Sequence, residues 1–207
     1  MPELPEVETV LRALRASGVV GSPISQIEIR KEFHIKEITP SNFANNLLGQ
    51  PLDTFRSRSP YQEIGPDLIQ EEISVEYLLS RFQKLRIPIK SALLEQKIMS
   101  GIGNIYASEI LFFCKISPLK PTNKITRAEI ENIIYHSKKI LQKSIELGGT
   151  SVVDFVSPLR GKGFYQNELK VYMKENKPCY ECQTPIIMER INNRSSFFCP
   201  QCQKLGL

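Results

Sequence analysis

Residues 96–109 have the sequence QKIMSGIGNIYASE, in which a turn with two glycines leads directly into a predicted helix. This helix is expected to run from Ile105 to about Cys114. Backbone amides at the start of a helix can bind a phosphate, and small glycines allow the phosphate to come close. Glycine turns between helices are common, but Lys90 and Lys97 precede this one. We therefore interpret the segment as a clamp for a nucleic-acid backbone, which fixes register without reading sequence.

Two cysteine pairs near the end of the sequence have the spacing of a metal site. Cys179 and Cys182 are followed, after sixteen residues, by Cys199 and Cys202. Two such pairs match a structural zinc ion held by four thiolates, which leave no open position for catalysis. One alternative is a zinc ribbon that only stabilises the fold. Arg194, between the pairs, favours a further role, because a rigidly held arginine is a good bidentate phosphate ligand.

The first residues, MPELPEVE, combine a potential nucleophile with three glutamates. If Met1 is removed, Pro2 presents a secondary amine, which can attack an aldehyde-level sugar carbon and form a charged imine. A helix is predicted from Pro5 to about Ser17, because proline suits the first helical position. The alternative is that the glutamates only stabilise the start of this helix through its dipole. Together with the zinc pairs, these residues suggest an enzyme that acts on DNA through covalent chemistry at its own first residue.

The periodicity of the remaining sequence changes from strand-like to helical. Residues 22–62 alternate apolar and polar residues as β-strands do, whereas the chain from Ser74 onward has helical periodicity. Pro88 is expected to open a helix that continues through Leu94. The apolar face of the helix after Ser74 consists of Val75, Leu78, Leu79 and Phe82.

A long helix is predicted after a capping box formed by Thr126 and Glu129. Gly148 and Gly149 are expected to end it, and a small zinc module is expected over residues 170–204. His136 falls on this helix, whereas His34 falls on a predicted strand. The inward face of the helix consists of Ile130, Ile133, Ile134, Ile140, Leu141 and Ile145.

Composition alone indicates a mildly basic globular protein. The 207 residues carry a net charge of +5, which by itself reflects only a slight lysine excess, so a nucleic-acid partner needs support from motifs. The longest apolar run, residues 110–114, is too short to span a bilayer, and the sequence contains no signal-peptide pattern. We expect a cytoplasmic protein. Five cysteines in a reducing compartment favour metal binding over disulfides, and Cys114, outside the pairs, is expected in the core.

Three blocks of sequence together resemble the formamidopyrimidine-DNA glycosylase family, also called the MutM family, of base-excision repair. The first is Pro2-Glu3-Leu4-Pro5-Glu6, in which Leu4 favours this branch over endonuclease VIII, where glycine is usual. The second is the helix–two-turn–helix signature at residues 96–109. The third runs from Gly148 through residues 165–169 to the cysteine pairs. The resemblance covers residues 1 to about 58 and about 65 to 204.

The resemblance implies an α+β fold in three parts. Residues 1–64 would form a truncated N-terminal catalytic β-sandwich with its leading helix, residues 65–169 a helix–two-turn–helix DNA-binding domain, and residues 170–204 a four-cysteine zinc finger with one structural Zn²⁺. The implied enzyme is a DNA glycosylase for oxidised purines, namely 8-oxoguanine and formamidopyrimidines, with abasic-site lyase activity. Its partner would be double-stranded DNA with a damaged base or an abasic site. No membrane partner is implied, and the protein is expected to be a bacterial monomer.

By the same resemblance, Pro2 would be the nucleophile that attacks C1′ of the damaged nucleotide. Glu3 would donate and accept protons around the sugar ring, and Glu6 would help to position the site. The resulting iminium would permit elimination at the 3′ phosphate. Arg194 would assist a second elimination.

The resemblance also implies a set of DNA contacts. Asn104 and Arg194 would hold the phosphates that flank the flipped nucleotide, and Arg86 and Lys90 would touch the DNA backbone. Residues 161–165 would belong to the loop that closes over the extruded base. Extrusion is required because C1′ is otherwise inaccessible in the stacked duplex.

The sequence departs from the family in its N-terminal part. A sandwich of about eight strands needs about 65–95 residues at ~8–12 residues per strand, whereas residues 22–62 suffice for about four. The family's catalytic lysine is expected just after Arg58, where this chain has Ser59-Pro60. The shortened sandwich would expose strand edges, through which the chain could dimerise.

The missing block also contains the residues that fill the gap left by the flipped nucleotide, and unstacking a base costs a few kcal/mol. Activity on intact damaged duplex is therefore expected to be poor, whereas cleavage at an abasic site is less demanding. The alternative functions are a DNA-binding remnant whose chemistry is lost or limited to the lyase step, and a zinc-ribbon interaction module without DNA.

Overall fold

The structure is a computed structural model and describes residues 3–16, 64–150 and 163–205. The chain divides into two compact units. One consists of Met1–Val10 and Ile64–Leu207 and contains almost everything described below. The other is Leu11–Glu63, of which residues 11–16 are described as the end of a helix. The strands expected over residues 22–62, with His34, lie outside the described residues.

The helices lie where the sequence predicts them, with ends shifted by one or two residues. Within the part of the chain that the structure describes, none of the helices combines the length and the apolar composition that a membrane span requires. Two short 3₁₀ turns, Thr122–Lys124 and Tyr165–Asn167, supplement the α-helices. The α-helices are α1 Leu4–Ala16, α2 Val75–Phe82, α3 Ile89–Leu93, α4 Asn104–Phe113 and α5 Arg127–Glu146.

Both ends of α5 are fixed by the groups that the sequence indicates. The Thr126 hydroxyl accepts the Glu129 amide at 3.3 Å, and the Glu129 carboxylate accepts the Thr126 amide at 2.9 Å. At the other end Gly148 and Gly149 have φ values of 77° and 86°, in the left-handed region that favours glycine. The Gly149 amide donates to the Ser144 carbonyl at 2.8 Å, which closes the helix in a Schellman motif. The predicted capping box is confirmed.

Helix α4 is the centre of the core, because its residues 106–112 are all buried. It packs against α5, which in turn contacts α2. The predicted inward face of α5 is confirmed, with Ile134 only half-buried. Cys114, which is expected in the core, is half-buried at the edge of the core. Burial raises the pKa of its thiol to about 12.

One acidic residue, Glu109, lies within this apolar helix and is fully buried. Its carboxylate accepts the backbone amides of Lys170, Val171 and Tyr172 at 2.8–2.9 Å. Burial raises the pKa of Glu109, and the three amides oppose that increase. A buried carboxylate is tolerated because its oxygens are hydrogen-bonded. Glu109 thus attaches the chain that enters the zinc module to the central helix.

The chain returns to the helical core at residues 163–165. The Phe164 amide donates to the Leu147 carbonyl at 3.0 Å, and the Tyr165 amide donates to the Gly149 carbonyl at 3.1 Å. A Cβ on Gly163 would lie 2.1 Å from the Gly149 carbonyl oxygen, so only glycine fits there. The backbone at residues 147–149 and at 163–165 is therefore in direct contact.

The zinc module contains an antiparallel hairpin, β1 Ile187–Ile191 and β2 Arg194–Phe198, paired in register from Ile187–Phe198 to Ile191–Arg194. Its two-residue loop, Asn192 and Asn193, has φ values of 47° and 60°. Two successive left-handed residues are typical of the type I′ turn that matches strand twist. The turn fixes Arg194 as the first residue of β2.

Replacing Thr126 by alanine removes the acceptor that caps α5. We expect the free energy of unfolding to fall by about 1 kcal/mol, because one amide at the helix start loses its partner. Urea unfolding followed by circular dichroism measures this change. Thr126→Ser, which keeps the hydroxyl, should have a free energy of unfolding close to that of the parent. Equal urea midpoints for Thr126→Ala and the parent would contradict the capping role.

Candidate functional site

The turn with two glycines is held by one side-chain amide. Gln96 donates from Nε2 to the Ile102 carbonyl at 2.9 Å and accepts the Gly101 amide on Oε1 at 2.9 Å. Gly101 has a φ of 93°, and its carbonyl accepts the Leu4 amide at 2.9 Å. The first residues of α1 are therefore docked on the turn that precedes α4.

Glu3 occupies the N-terminus of α4. Its carboxylate accepts the backbone amides of Gly103, Ile105 and Tyr106 at 2.9–3.1 Å. The positive end of a helix dipole and its unpaired amides favour a negative group at this position. A Cβ on Gly103 would lie 2.2 Å from the Glu3 carboxyl carbon, which explains the second glycine.

This geometry corrects one prediction from the sequence. The amides at the start of the helix were expected to bind a phosphate, with glycines admitting it. Three of these amides instead bind the carboxylate of Glu3, and Gly103 admits that side chain. The amides at the start of the helix do bind an anion, but this anion is the carboxylate of Glu3 in the same chain.

Lys90 is buried, with 1% of its surface exposed, and its ammonium group has three protein acceptors. Nζ donates to Asn104 Oδ1 at 2.7 Å, to the Ser195 carbonyl at 2.9 Å and to Ser196 Oγ at 2.8 Å. Burial lowers the pKa of Lys90 to about 8, while Glu3 opposes this decrease and Arg194 adds to it. A direct contact of Lys90 with DNA stays a prediction, and its described role is to join α3, α4 and β2.

Asn104, the first residue of α4, also binds the hairpin. Its Nδ2 donates to the Ser195 carbonyl at 3.0 Å, and its side chain remains partly exposed. Asn192 in the hairpin turn donates to Ser91 Oγ at 2.8 Å, so the hairpin is held at two points. Arg194, next to Ser195, is exposed.

The structure thus brings together four of the predicted site residues at the start of α4. Glu3, Lys90 and Asn104 are linked through that helix, and Arg194 lies on the hairpin that binds two of them. Arg86 is exposed on the segment between α2 and α3. Pro2 and the side chain of Glu6 lie outside the described residues, as do residues 161 and 162 of the predicted loop.

The four paired cysteines form one cluster. Their sulfur atoms all lie within 4.8 Å of one another. The Sγ atoms of Cys179 and Cys202 are 3.9 Å apart, and those of Cys182 and Cys199 are 3.4 Å apart. A zinc ion with bonds of about 2.3 Å to four sulfurs requires sulfur separations of about 3.8 Å. The donor set fits a structural zinc ion.

The surroundings of the cysteines suit this role. Hydrogen bonds from Thr184 lower the pKa of Cys182 to about 6, which favours the thiolate that binds metals. Burial raises the pKa of Cys199 and of Cys202, so these thiols require the metal to displace their protons. The Gln203 side chain accepts the Cys199 amide at 2.9 Å and donates to the Ile116 carbonyl at 3.0 Å. The cluster is thereby joined to the segment that follows α4.

Sequence reasoning missed the roles of three residues. Gln96, Glu109 and Ser196 all organise the site or its support, and none was assigned a function. Glu109 carried a usable signal, because a carboxylate inside a continuous apolar helix needs partners. Gln96 and Ser196 carried none, since neither composition nor spacing indicates which backbone atoms a polar side chain reaches.

Removing one zinc ligand tests the metal site, and the fifth cysteine provides a matched control. We expect Cys199→Ser to lose the zinc ion, because only three thiolates remain. Cys114→Ser should keep one zinc ion per chain. Metal content of the purified proteins, measured by plasma emission spectrometry, gives the answer. Zinc loss in both variants, or in neither, would contradict the assignment.

Family models match nearly the whole chain in three segments. Residues 1–65 match the formamidopyrimidine-DNA glycosylase N-terminal domain, and residues 64–156 match the H2TH domain of the same enzyme. Residues 176–205 match the zinc finger found in FPG and IleRS, which together with the cysteine geometry establishes a structural zinc ion.

Curated relatives carry the same name. The formamidopyrimidine-DNA glycosylase of Carboxydothermus hydrogenoformans is 30% identical over 264 aligned positions, which cover 99% of this chain and 100% of the relative. Because this chain has 207 residues, the alignment contains long gaps on its side. The enzyme of Pasteurella multocida is 35% identical over 165 residues, which cover 80% of this chain but only 60% of that protein.

Solved structures agree. A Lactococcus lactis FPG mutant in complex with Fapy-dG containing DNA superposes with a TM-score of 0.82 at 27% identity, covering 98% of this chain and 100% of that one. The L. lactis Fpg bound to DNA with an abasic site gives a TM-score of 0.81 at 27% identity, and the superposition covers 98% of this chain and 99% of that one. The predicted fold class, an N-terminal domain followed by a helix–two-turn–helix domain and a zinc finger, is confirmed. The chain therefore belongs to the formamidopyrimidine-DNA glycosylase family of base-excision repair enzymes.

Proposed function

We propose that this chain is a DNA glycosylase that removes oxidised purines, 8-oxoguanine and formamidopyrimidines, and then cleaves the abasic site through an imine at Pro2. Its partner is double-stranded DNA with a damaged base or an abasic site. The proposal places the protein in the bacterial cytoplasm with the chromosome, as a monomer. The catalytic residues are Pro2, Glu3, Glu6 and Arg194.

The position of Glu3 is the observation that carries this proposal. Its carboxylate is bound by three amides of α4, and the residue is adjacent to Pro2 in the chain. Holding Glu3 in this way fixes an acid–base group at the residue that follows the proposed nucleophile in the sequence, and covalent catalysis by an amine uses such a group. The same helix begins with Asn104, a proposed phosphate ligand. The helix therefore links the reacting groups to the groups that hold DNA.

The proposed reaction begins with attack by the Pro2 nitrogen on C1′. The C1′–N bond forms, the glycosidic bond breaks, and the base leaves with the bonding electrons and takes up a proton. The amine passes its proton to the Glu3 carboxylate, and the C1′–O4′ bond breaks as O4′ takes that proton from Glu3. The product is an iminium between C1′ and Pro2. Because the iminium withdraws electrons, loss of a C2′ proton releases the 3′ phosphate, and a second elimination releases the 5′ phosphate.

Asn104 and Arg194 are the proposed phosphate ligands. Arg194 is exposed at the start of β2, and Asn104 keeps part of its surface open although it binds Lys90 and Ser195. Arg86, exposed before α3, is a further proposed backbone contact. Lys90 supports this surface from beneath, because its three hydrogen bonds fix Asn104 and the strand that bears Arg194.

A second candidate is favoured by the length of the chain. The long gaps in the alignment to the Carboxydothermus relative agree with an internal block missing from the N-terminal domain. The proposed domains are 1–64, 65–169 and 170–204, with the shortened catalytic part first. Without the residues that fill the space of a flipped nucleotide, nothing offsets the free-energy cost of unstacking the base, which is a few kcal/mol. The alternative function is a DNA-binding remnant that retains only lyase chemistry or none.

Borohydride trapping separates these functions. With 8-oxoguanine duplex and abasic duplex as substrates, adducts on both indicate a complete glycosylase and lyase. An adduct on the abasic duplex alone indicates a lyase that no longer extrudes bases. Binding at low salt without any adduct indicates the remnant.

The nucleophile is tested by Pro2→Gly in the same trapping assay. We expect the adduct on abasic DNA to disappear, because the secondary amine that forms the charged iminium is replaced. Pro5→Gly, which changes the next proline in the sequence, is the matched control and should still be trapped. Equal trapping of Pro2→Gly and the parent would contradict the proposed mechanism.

The salt dependence of DNA binding tests the roles of the two basic residues near Asn104. Arg194→Ala should lower the slope of log affinity against log salt by about one, because one phosphate contact is lost. Lys90→Met should weaken binding and destabilise the fold by about 1–3 kcal/mol, since three acceptors lose their donor. A salt slope equal to that of the parent would show that Lys90 acts only by supporting Asn104 and β2. A slope lowered equally by both substitutions would show that Lys90 contacts a phosphate directly.

A further inference from the structure

A cavity of about 210 Å³ lies between α5 and the chain around Tyr165, near the last residue of α4. It is separate from the site described above. Phe113, in the cavity wall, ends α4, whereas Asn104 begins it. Nine residues at 1.5 Å per residue place these two positions about 14 Å apart.

The inner wall of the cavity is apolar and aromatic. The rings of Phe113 and His136 are stacked with centroids 5.8 Å apart and planes at 19°. Ile140 and Tyr165 are buried beneath the opening. The two rings stack on each other, and Tyr135 packs against His136 at 80°. A planar ligand would therefore contact the part of this aromatic pair that lines the cavity, beside Ile140.

The rim of the cavity is basic. Lys139 and Lys143 reach it from α5 and Lys170 from the facing chain, while Glu168 is the acidic residue of the lining. Lys143 Nζ lies 3.8 Å from a carboxylate oxygen of Glu146. Both side chains are exposed, so this ion pair contributes little to stability. Lys170 lies 4.5 Å from the centre of the Tyr180 ring. Lys139 Nζ likewise lies 5.9 Å from the centre of the Tyr135 ring. The lining thus contains three lysines from two segments and one glutamate.

A row of lysines on a helix is usually only a solvated surface. Here Lys170 comes from a different segment, about 30 residues along the chain, and meets the helix across a cavity with aromatic walls. Convergence of positive charge on a concave apolar site favours a ligand with both a flat ring and a negative group.

We propose that this cavity binds a small aromatic anion of the nucleoside monophosphate class. The base stacks on the Phe113 and His136 rings, and the phosphate is held by Lys139, Lys143 and Lys170 at the rim. Since pockets for drug-sized ligands are typically about 300–1,000 Å³, this volume limits the ligand to a single nucleotide whose phosphate remains near solvent. The site is independent of the catalytic chemistry.

The pKa of His136 should show whether the cavity is occupied. Burial lowers its pKa, and Lys139 adds to that decrease. The charged groups around it are Lys139 and Lys143 on its own helix and Glu168 and Lys170 on the facing chain. A bound phosphate offsets the lysines, so the pKa of His136 should rise when the cavity is filled.

The test is a titration of the zinc-loaded full chain with guanosine 5′-monophosphate, followed by the imidazole proton signals of His136 in NMR spectra. The chain contains two histidines, so the spectrum of His136→Gln assigns the signal. We expect a saturable shift of this signal and a higher pKa of His136 at saturation. Guanosine, which lacks the phosphate, and inorganic phosphate, which lacks the ring, should each bind at least about tenfold more weakly.

Two charge reversals on the same helix complete the test. Lys143→Glu should weaken nucleotide binding by about tenfold or more, because one phosphate partner becomes repulsive. Lys138→Glu, an exposed neighbour outside this lining, is the matched control and should bind as the parent does. The proposal is overturned by the absence of a saturable shift, by inorganic phosphate binding as tightly as the nucleotide, or by equal weakening in the two variants.

Discussion

The ammonium group of Lys90 joins three parts of the chain that are far apart in sequence. It donates to Asn104 on α4 and to Ser195 and Ser196 on β2, while Lys90 itself belongs to α3. An ammonium group removed from water is costly unless each of its protons finds an acceptor. Here three acceptors match three protons, so the geometry of each partner is constrained by the other two. The exposed face formed by Asn104 and Arg194 depends on this buried contact.

Local rules explain why much of the fold could be predicted from the sequence. Helix boundaries follow from proline, capping and glycine residues near the helix ends, and the inward isoleucines of α5 follow from a period of 3.6. The cysteine spacing likewise determines the metal, because two sulfurs from each pair reach one ion without help from distant residues.

The candidate site was predicted less well, because its contacts join distant residues. Glu3 meets the amide of Gly103 across 100 positions of sequence, and Lys90 meets Ser195 across 105. Periodicity and spacing carry no information about such partners. The sequence correctly indicated an anion at the start of α4, and it misassigned that anion because a carboxylate and a phosphate satisfy helix amides in the same way.

Every described member of the cluster lies outside residues 17–63. Glu3 precedes that segment, and the remaining members lie after it, within one compact unit. A chain that is shorter than its relatives therefore retains the helix, the hairpin and the zinc cysteines that support this cluster. In the proposed function, a shortened N-terminal domain would alter how DNA is distorted, which is a different property from how the proposed ligands Asn104 and Arg194 would hold its phosphates.

The contact between residues 147–149 and 163–165 has a consequence for how this family can vary. Because Gly149 and Tyr165 are joined by a backbone hydrogen bond, the stretch between them begins and ends at nearly the same point. The entropy of closing a loop increases only with the logarithm of its length, so doubling this stretch would cost about 0.6 kcal/mol. A change in the number of residues between these two joined ends therefore costs little closure entropy, and the described contacts at both ends can stay as they are.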